Sequence, residues 1–131
     1  MVGTEKNLKI TSEQLHDFEQ SSRLEWLVTN GIGGYASGSL SGANTRSYHG
    51  YLIAASPAPA VRVLSFAKIE ESVHTLDNSA DLSANIYPGA VQPQGYTCLS
   101  EYDPSSCPTF VFDPLPGLRL TKKIWMAMGG T

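Results

Sequence analysis

Apolar and polar residues alternate along much of this chain, in short runs separated by turn residues. The alternation is clearest over residues 118–128, where Lys122 is the one exception on the apolar face. A period of two is typical of a strand with one buried face. The longest strand is predicted over residues 61–76, which are rich in β-branched and aromatic residues and contain neither Gly nor Pro. Further strands are predicted at 25–29, 45–55, 82–87, 95–102 and 108–112.

Helical spacing is confined to residues 12–20. Thr11 and Gln14 fit a capping box, and Leu15 and Phe18 would share one helix face. Short strands with turn signals at regular spacing favour an antiparallel sandwich or barrel. We therefore predict an all-β, mainly antiparallel fold of the β-sandwich or supersandwich type, with one short N-terminal helix.

Length and composition limit the number of domains in this chain and the kinds of partner that it can bind. The 131 residues are enough for one domain with a core, so residues 1–131 are expected to form a single β-sandwich domain. Charged residues make up 16% of the chain, against about 25% in typical domains, which indicates that part of the surface is covered by another body. The net charge of −3 gives no electrostatic case for binding nucleic acid or an anionic membrane.

Compartment signals favour the cytoplasm. No apolar run approaches transmembrane length, and the first ten residues lack the apolar region of a secretory signal. Cys98 and Cys107 form no CxxC pair and have no nearby His, so we expect two free thiols. A disulfide that closes the loop between them is the alternative.

The segment 25–55 is the most informative part of the chain. It is dense in glycine, which loses more chain entropy on ordering than any other residue, so it must need unusual backbone angles or close approach. Aromatic, amide, guanidinium and imidazole side chains are interleaved with the glycines. Such groups stack on and hydrogen-bond to polar ligands or to another domain, so the segment predicts a shaped binding surface.

Residues 31–36 match the loose dinucleotide-binding pattern G-x-G-x-x-A, but the match fails in context. A helix must begin there to meet the pyrophosphate, and the Ser- and Gly-rich residues that follow will not hold one. No acidic residue lies between Glu25 and Glu70, where the ribose contact is needed. A P-loop is excluded too, since no Lys lies between Lys9 and Lys68.

Metal and acid–base chemistry are not indicated either. His16, His49 and His74 lack the spacing of zinc ligands. Glu70 and Glu71 are adjacent on a predicted strand and would point to opposite faces, and no other pair of carboxylates stands out. We therefore expect no cofactor, no metal and no catalytic residue in this chain.

The elements TNGxGGYASG at 29–38 and NTRxYHG at 44–50 are specific when they occur together. On these, and on similar segments at 63–71, 87–96 and 118–128, residues 20–131 resemble the N-terminal domain of bacterial and archaeal glycogen-debranching enzymes of the amylo-α-1,6-glucosidase type. One departure is Ser47, where many relatives carry a second Arg.

The resemblance implies that this chain is the N-terminal part of a longer glycoside hydrolase. In that family a β-sandwich packs beside an (α/α)-barrel, which carries the catalytic carboxylates that hydrolyse α-1,6 branch points of glycogen. We therefore expect the present chain to be inactive by itself, to contact the barrel of the same polypeptide and to self-associate in its absence. The barrel and α-glucan are the expected partners.

Eight residues are candidates for contact with sugar or with the barrel: Asn30, Gly33, Gly34, Tyr35, Asn44, Arg46, Tyr48 and His49. On a strand over 45–53, Arg46 and Tyr48 would share one face and His49 would lie on the other, unless Gly50 makes a bulge.

A structural reading of these residues stays open beside the functional one. Arg46 would hold loop carbonyls, His49 would bond to backbone in the core, and the glycines would permit turns. Trp26 and Trp125 favour core or interface roles over a sugar platform. Two alternatives to the debranching-enzyme domain remain: a free-standing carbohydrate-binding module and a structural interaction domain without sugar contact.

Overall fold

The computed structural model describes residues 9–55 and 62–128, and within them the chain forms twelve strands and two short α-helices. The helices are α1 (Ser12–Leu15) and α2 (Phe18–Arg23), and Gly95–Cys98 forms a 3-10 turn. The strands are β1 (Ile10–Thr11), β2 (Glu25–Thr29), β3 (Tyr35–Ser39), β4 (Gly50–Ala55), β5 (Arg62–Phe66), β6 (Ser72–His74), β7 (Ser79–Asp81), β8 (Ala84–Tyr87), β9 (Ala90–Gln94), β10 (Leu99–Asp103), β11 (Thr109–Leu115) and β12 (Leu118–Lys123).

Two four-stranded sheets make up the body of the fold. The first has the order β1-β10-β11-β12 and the second the order β2-β3-β4-β5, and two hairpins, β6-β7 and β8-β9, complete the described strands. Every pairing is antiparallel. The predicted antiparallel β-sandwich is therefore confirmed, and the described strands form no closed barrel.

Trp26 of β2 joins the two sheets in the core. It exposes 5% of its surface and meets Phe110 of β11 edge-on at 6.5 Å and Tyr51 of β4 at 5.9 Å. Gly38 lies opposite Trp26 in the neighbouring strand, where an added Cβ would come within 2.9 Å of the indole nitrogen. The core role predicted for Trp26 is confirmed, whereas Trp125 is 71% exposed and lies outside the core.

Lys122, the exception in the alternation of the last strand, points between the sheets. Its ammonium lies 5.3 Å from the ring centroid of Phe110 and donates hydrogen bonds to Glu71 Oε1 at 2.8 Å and to Tyr51 Oη at 3.3 Å. Burial by itself would lower the pKa of Lys122, but the interactions with Tyr51 and Glu71 outweigh it and raise that pKa. The cation thus links β12 to the second sheet.

The predicted single helix over residues 12–20 is wrong in its extent. The chain breaks at Asp17 into two helices, because Asp17 has extended backbone angles and its side chain accepts the hydrogen bond of Gln20 N at 3.1 Å. Thr11 precedes α1 but its side chain caps nothing, so the predicted capping box is also wrong.

The strand predictions hold for residues 25–29 and need correction elsewhere. Residues 45–49 form a turn, and the predicted strand over 61–76 divides into β5 and β6, while residue 61 lies outside the described residues. The strand predicted over 82–87 begins only at Ala84, and the first four residues of the one predicted over 95–102 form the 3-10 turn. The strand predicted over 108–112 begins one residue later and continues to Leu115, and the one predicted over 118–128 ends at Lys123. Strand β3 was missed because its small residues carry no β-propensity signal.

Candidate functional site

The connection between β2 and β3, residues 30–34, is here called the glycine loop. Asn30 N donates to Gly34 O at 3.2 Å, and Asn30 Oδ1 accepts from the backbone N–H groups of Ile32 and Gly34, both at 3.0 Å. Gly31 and Gly33 have φ angles of 83° and 98°, which non-glycine residues rarely adopt. The side-chain oxygen of Asn30 is therefore engaged in holding the loop.

Gly33 and Gly34 are required by space as well. A Cβ on Gly33 would lie 3.0 Å from the Cβ of Ala55, and one on Gly34 would lie 2.6 Å from Asn30 Nδ2. The chain leaves this loop as strand β3 and not as a helix. This agrees with the rejection of a dinucleotide site at residues 31–36.

An open groove of about 420 Å³ runs beside the glycine loop. Leu27 and Thr29 of β2 and Tyr35 of β3 line its floor, and the guanidinium of Arg62 reaches it from β5. Tyr35 pairs with Thr29 and Ile53 on the outer face of the second sheet, away from the other sheet. The groove thus presents one aromatic ring, one cation and exposed backbone.

The second part of the candidate site is the arginine turn, residues 44–49. His49 N donates to Arg46 O at 3.1 Å, which closes the turn. The His49 side chain is fully buried, and its Nδ1 accepts from the backbone N–H groups of Thr45 at 2.9 Å and Arg46 at 3.2 Å. Because Nδ1 accepts, the ring hydrogen lies on Nε2.

Glu25, at the start of β2, gathers the side chains of the arginine turn. His49 Nε2 donates to Glu25 Oε2 at 2.8 Å, Tyr48 Oη donates to the same carboxylate at 3.0 Å, and Arg46 Nε lies 3.6 Å from it. Partial burial raises the pKa of Glu25, but the hydrogen bonds from His49 and Tyr48 outweigh it, so that pKa lies below its ordinary value. The same bond to Glu25 raises the pKa of Tyr48.

This convergence corrects the predicted strand over 45–53. A strand would have kept His49 on the face opposite Arg46 and Tyr48, whereas the turn brings all three to Glu25. Sequence reasoning missed Glu25 because it lies 24 residues before His49, and only the pairing of β3 with both β2 and β4 brings the two together.

The eight predicted residues form two clusters and not one site. In the β2–β3 pairing, Tyr35 and the glycine loop lie at the Thr29 end, while the arginine turn lies at the Glu25 end. Four residues of strand separate these ends, or about 13 Å. Asn44 lies at the start of the turn and donates to Ala67 O at 3.2 Å, so it ties the turn to the segment after β5.

Exposure separates the scaffold residues from those free to meet a partner. Asn30 and His49 are buried, whereas the Arg46 side chain is 61% exposed and Tyr48 is 45% exposed. Glu25 accepts hydrogen bonds from Tyr48 and His49 and lies within ion-pair distance of Arg46, so it anchors the turn. The arrangement is suited to binding.

Residues 9–55 and 62–128 contain no group of three or more His, Cys, Asp or Glu side chains that could hold a metal ion. Cys98 and Cys107 are separate, partly buried thiols. None of the helices in the described ranges has the length and apolar character needed to cross a membrane.

Comparison with known proteins identifies one family. A family model described as glycogen debranching enzyme N terminal matches residues 24–131, which include both the glycine loop and the arginine turn. Searches of curated proteins and of solved structures found no match. Because the family match spans most of its length, this chain belongs to the family of glycogen debranching enzyme N-terminal domains.

Proposed function

We propose that this chain is the non-catalytic N-terminal domain of an enzyme that hydrolyses α-1,6 branch points in glycogen, and that its arginine turn lies against the catalytic (α/α)-barrel. The observation that carries the proposal is the Glu25 network. Two hydrogen-bond donors and one cation from one turn converge on a single carboxylate, and the turn is thereby held in one conformation with Arg46 and Tyr48 facing outward. Preorganised, exposed Arg and Tyr side chains are typical of interface anchors.

The supporting role of the domain is inferred from the effect of the Glu25 network on the pKa of Glu25. Branch-point hydrolysis needs a general acid with a raised pKa and a second carboxylate across the scissile bond. Glu25 has a lowered pKa and is surrounded by donors that keep it ionised. In this proposal the catalytic pair lies in the barrel of the same polypeptide, and this domain positions that barrel.

The groove beside the glycine loop extends the proposal to the substrate. Tyr35 offers a ring that can stack on a sugar, and Arg62 offers a donor for its hydroxyl groups. We place one wall of the glucan cleft here, at the Thr29 end of β2. The arginine turn, at the Glu25 end, would make the contact with the barrel.

The test is Arg46→Ala in a full-length debranching enzyme that contains this domain. We expect kcat/KM for branched glucan to fall by about 3- to 10-fold, since a lost charged contact costs on the order of 1 kcal/mol. Arg23→Ala is the matched control, because Arg23 is also exposed and pairs with Glu19 on the helix. Unchanged debranching kinetics with a normal melting temperature would remove Arg46 from the interface.

A free-standing carbohydrate-binding module is the second candidate, and the exposed Trp125 favours it. Trp125 borders a groove of about 280 Å³ that Tyr51, Glu71 and Lys123 also line, which combines a flat ring with hydrogen-bonding groups. Affinity electrophoresis of the present chain in gels containing glycogen separates the two functions. Retardation favours the binding module, and unretarded migration favours the supporting domain.

A further inference from the structure

Strand β5 is an unprotected edge of the second sheet. All five of its residues are exposed, which holds for no other strand in the described ranges. Val63, Leu64 and Phe66 are 51, 52 and 47% exposed. Because neighbouring side chains in a strand point to opposite faces, apolar side chains on both faces of β5 are about half exposed. An apolar edge strand is a template for pairing with another strand.

The other edges of the two large sheets differ from β5. Strand β2, at the opposite edge of the same sheet, buries Trp26 in the core. Strand β12 carries the exposed cations Arg119 and Lys123, and charges on an edge oppose pairing with another chain. Strand β1 is only two residues long. Among these edges, β5 combines apolar residues, open faces and a single charge, that of Arg62.

From this we infer that two copies of the chain pair through β5, antiparallel about a two-fold axis at Leu64. In this register Leu64 lies opposite the partner's Leu64, and Val63 lies opposite the partner's Ser65. Arg62 lies opposite the partner's Phe66. The second sheet would then continue from one copy into the other, as in strand addition at exposed sheet edges.

A second copy suits this edge because the strand is complementary to itself in that register. Its one cation would meet an aromatic ring, which attracts it. The two Arg62 side chains would be separated by four residues of strand, about 13 Å, beyond the screening length of about 8 Å at physiological salt. Two-fold pairing of identical patches is also the commonest way in which soluble proteins associate.

The short strand limits the strength of the pair. Five paired residues bury much less than the roughly 800 Å² per partner of a standard interface, so we expect a weak dimer that forms with rising concentration. Sedimentation velocity of the present chain between about 1 μM and about 1 mM covers the range in which such complexes dissociate. A chain that stays monomeric over that range would overturn the inference.

The decisive variant is Leu64→Lys, which places two ammonium groups at the axis. We expect its dissociation constant to rise by at least about tenfold, since like charges directly opposite each other are destabilising. Ile86→Lys is the matched control, because Ile86 is likewise 52% exposed but lies on the separate β8–β9 hairpin. Equal dimerisation by wild type and Leu64→Lys, or equal loss in both variants, contradicts pairing through β5.

A cross-linking variant tests the register even if Leu64→Lys folds poorly. Opposite Cβ atoms in an antiparallel pair lie about 4.5–5.5 Å apart, close to disulfide reach. Mild oxidation should therefore link Leu64→Cys into a covalent dimer, whereas Ile86→Cys, with the same native Cys98 and Cys107, should stay monomeric. Failure of Leu64→Cys to link overturns the register and leaves the proposed contact between the arginine turn and the barrel untouched, since that contact is made by residues 44–49 and not by β5.

Discussion

At the scale of the residue, the arginine turn depends on one carboxylate, Glu25, that accepts hydrogen bonds from two side chains and pairs with the Arg46 cation. Glu25 fixes the arginine turn through His49, and His49 in turn fixes the backbone of Thr45 and Arg46. Each ring nitrogen of His49 thus has a distinct role. One neutral tautomer satisfies both contacts, so the turn and the strand are held by the same buried ring.

We predict that Glu25→Gln destabilises the fold by about 1–2 kcal/mol at neutral pH, because a charge-assisted bond to a buried ring is replaced by a neutral one. The folded-state pKa of Glu25 lies below the ordinary value of 4.5. Its stabilising effect is therefore full above that value and is lost as the pH falls through the lowered folded-state pKa. Urea unfolding of both proteins across the acid range measures this.

The control for that experiment is Glu19→Gln. Glu19 pairs with Arg23 on the exposed surface of α2, where an ion pair contributes little. Its free energy of unfolding should stay close to that of the wild type at every pH. If Glu25→Gln also follows the wild-type curve throughout the acid range, the carboxylate does not anchor the turn.

Part of this residue-scale picture was predictable from sequence. The roles of Asn30 and the glycines in shaping a turn follow from local chemistry, since the Asn30 side chain bonds to residues two and four positions on. The sequence left two roles open for His49, contact with a partner or a hydrogen bond to backbone, and the structure shows the bond to backbone. Glu25 was not predictable, because its partners are reached only through the register of β2 and the path of a turn that the pattern read as strand.

At the scale of the element, β2 and β3 depend on the pairing of a large residue with the smallest one. Trp26 and Gly38 are directly opposite in the register, and the indole lies over the glycine backbone. Strand β2 was predictable because its residues, EWLVT, have high β-propensity. Strand β3 was not, because YASGS owes its structure to the neighbours that cover it.

Gly38→Ala tests that pairing. The added methyl would lie 2.9–3.0 Å from three atoms of the Trp26 indole. Trp26 is held by Phe110 and Tyr51, so it cannot yield freely, and we expect a loss of about 1–3 kcal/mol, as for other overpacked cores. Chemical denaturation gives the free energy of unfolding.

A double-mutant cycle supplies the control for Gly38→Ala. In the Trp26→Phe background the ring is smaller, so the same change should cost markedly less, and the difference is the coupling between the two positions. An equal cost in both backgrounds would show that the penalty arises from the backbone of β3 and not from the indole.

At the scale of the whole molecule, the fold class followed from the spacing of strands and turns, but the pairing of the sheets did not. Strand β1 joins β10 across most of the chain, and no local pattern encodes such a contact. Lys122 was visible only as a break in an alternating pattern. The structure explains this break, because the Lys122 side chain extends from the first sheet to Tyr51 and Glu71.

Lys122→Met is therefore expected to loosen the contact between the sheets and to destabilise the fold by about 2–4 kcal/mol, since it leaves Glu71 partly buried without its cation. Glu71→Gln in the same background should recover part of that loss, because the unpaired charge is then removed. Lys123→Met is the matched control, as Lys123 is the exposed neighbour on the same strand. Urea unfolding of the four proteins decides between the outcomes. If the second substitution adds to the loss, the pair is a surface interaction. Recovery shows that Lys122 and Glu71 act together to hold β12 against the segment between β5 and β6.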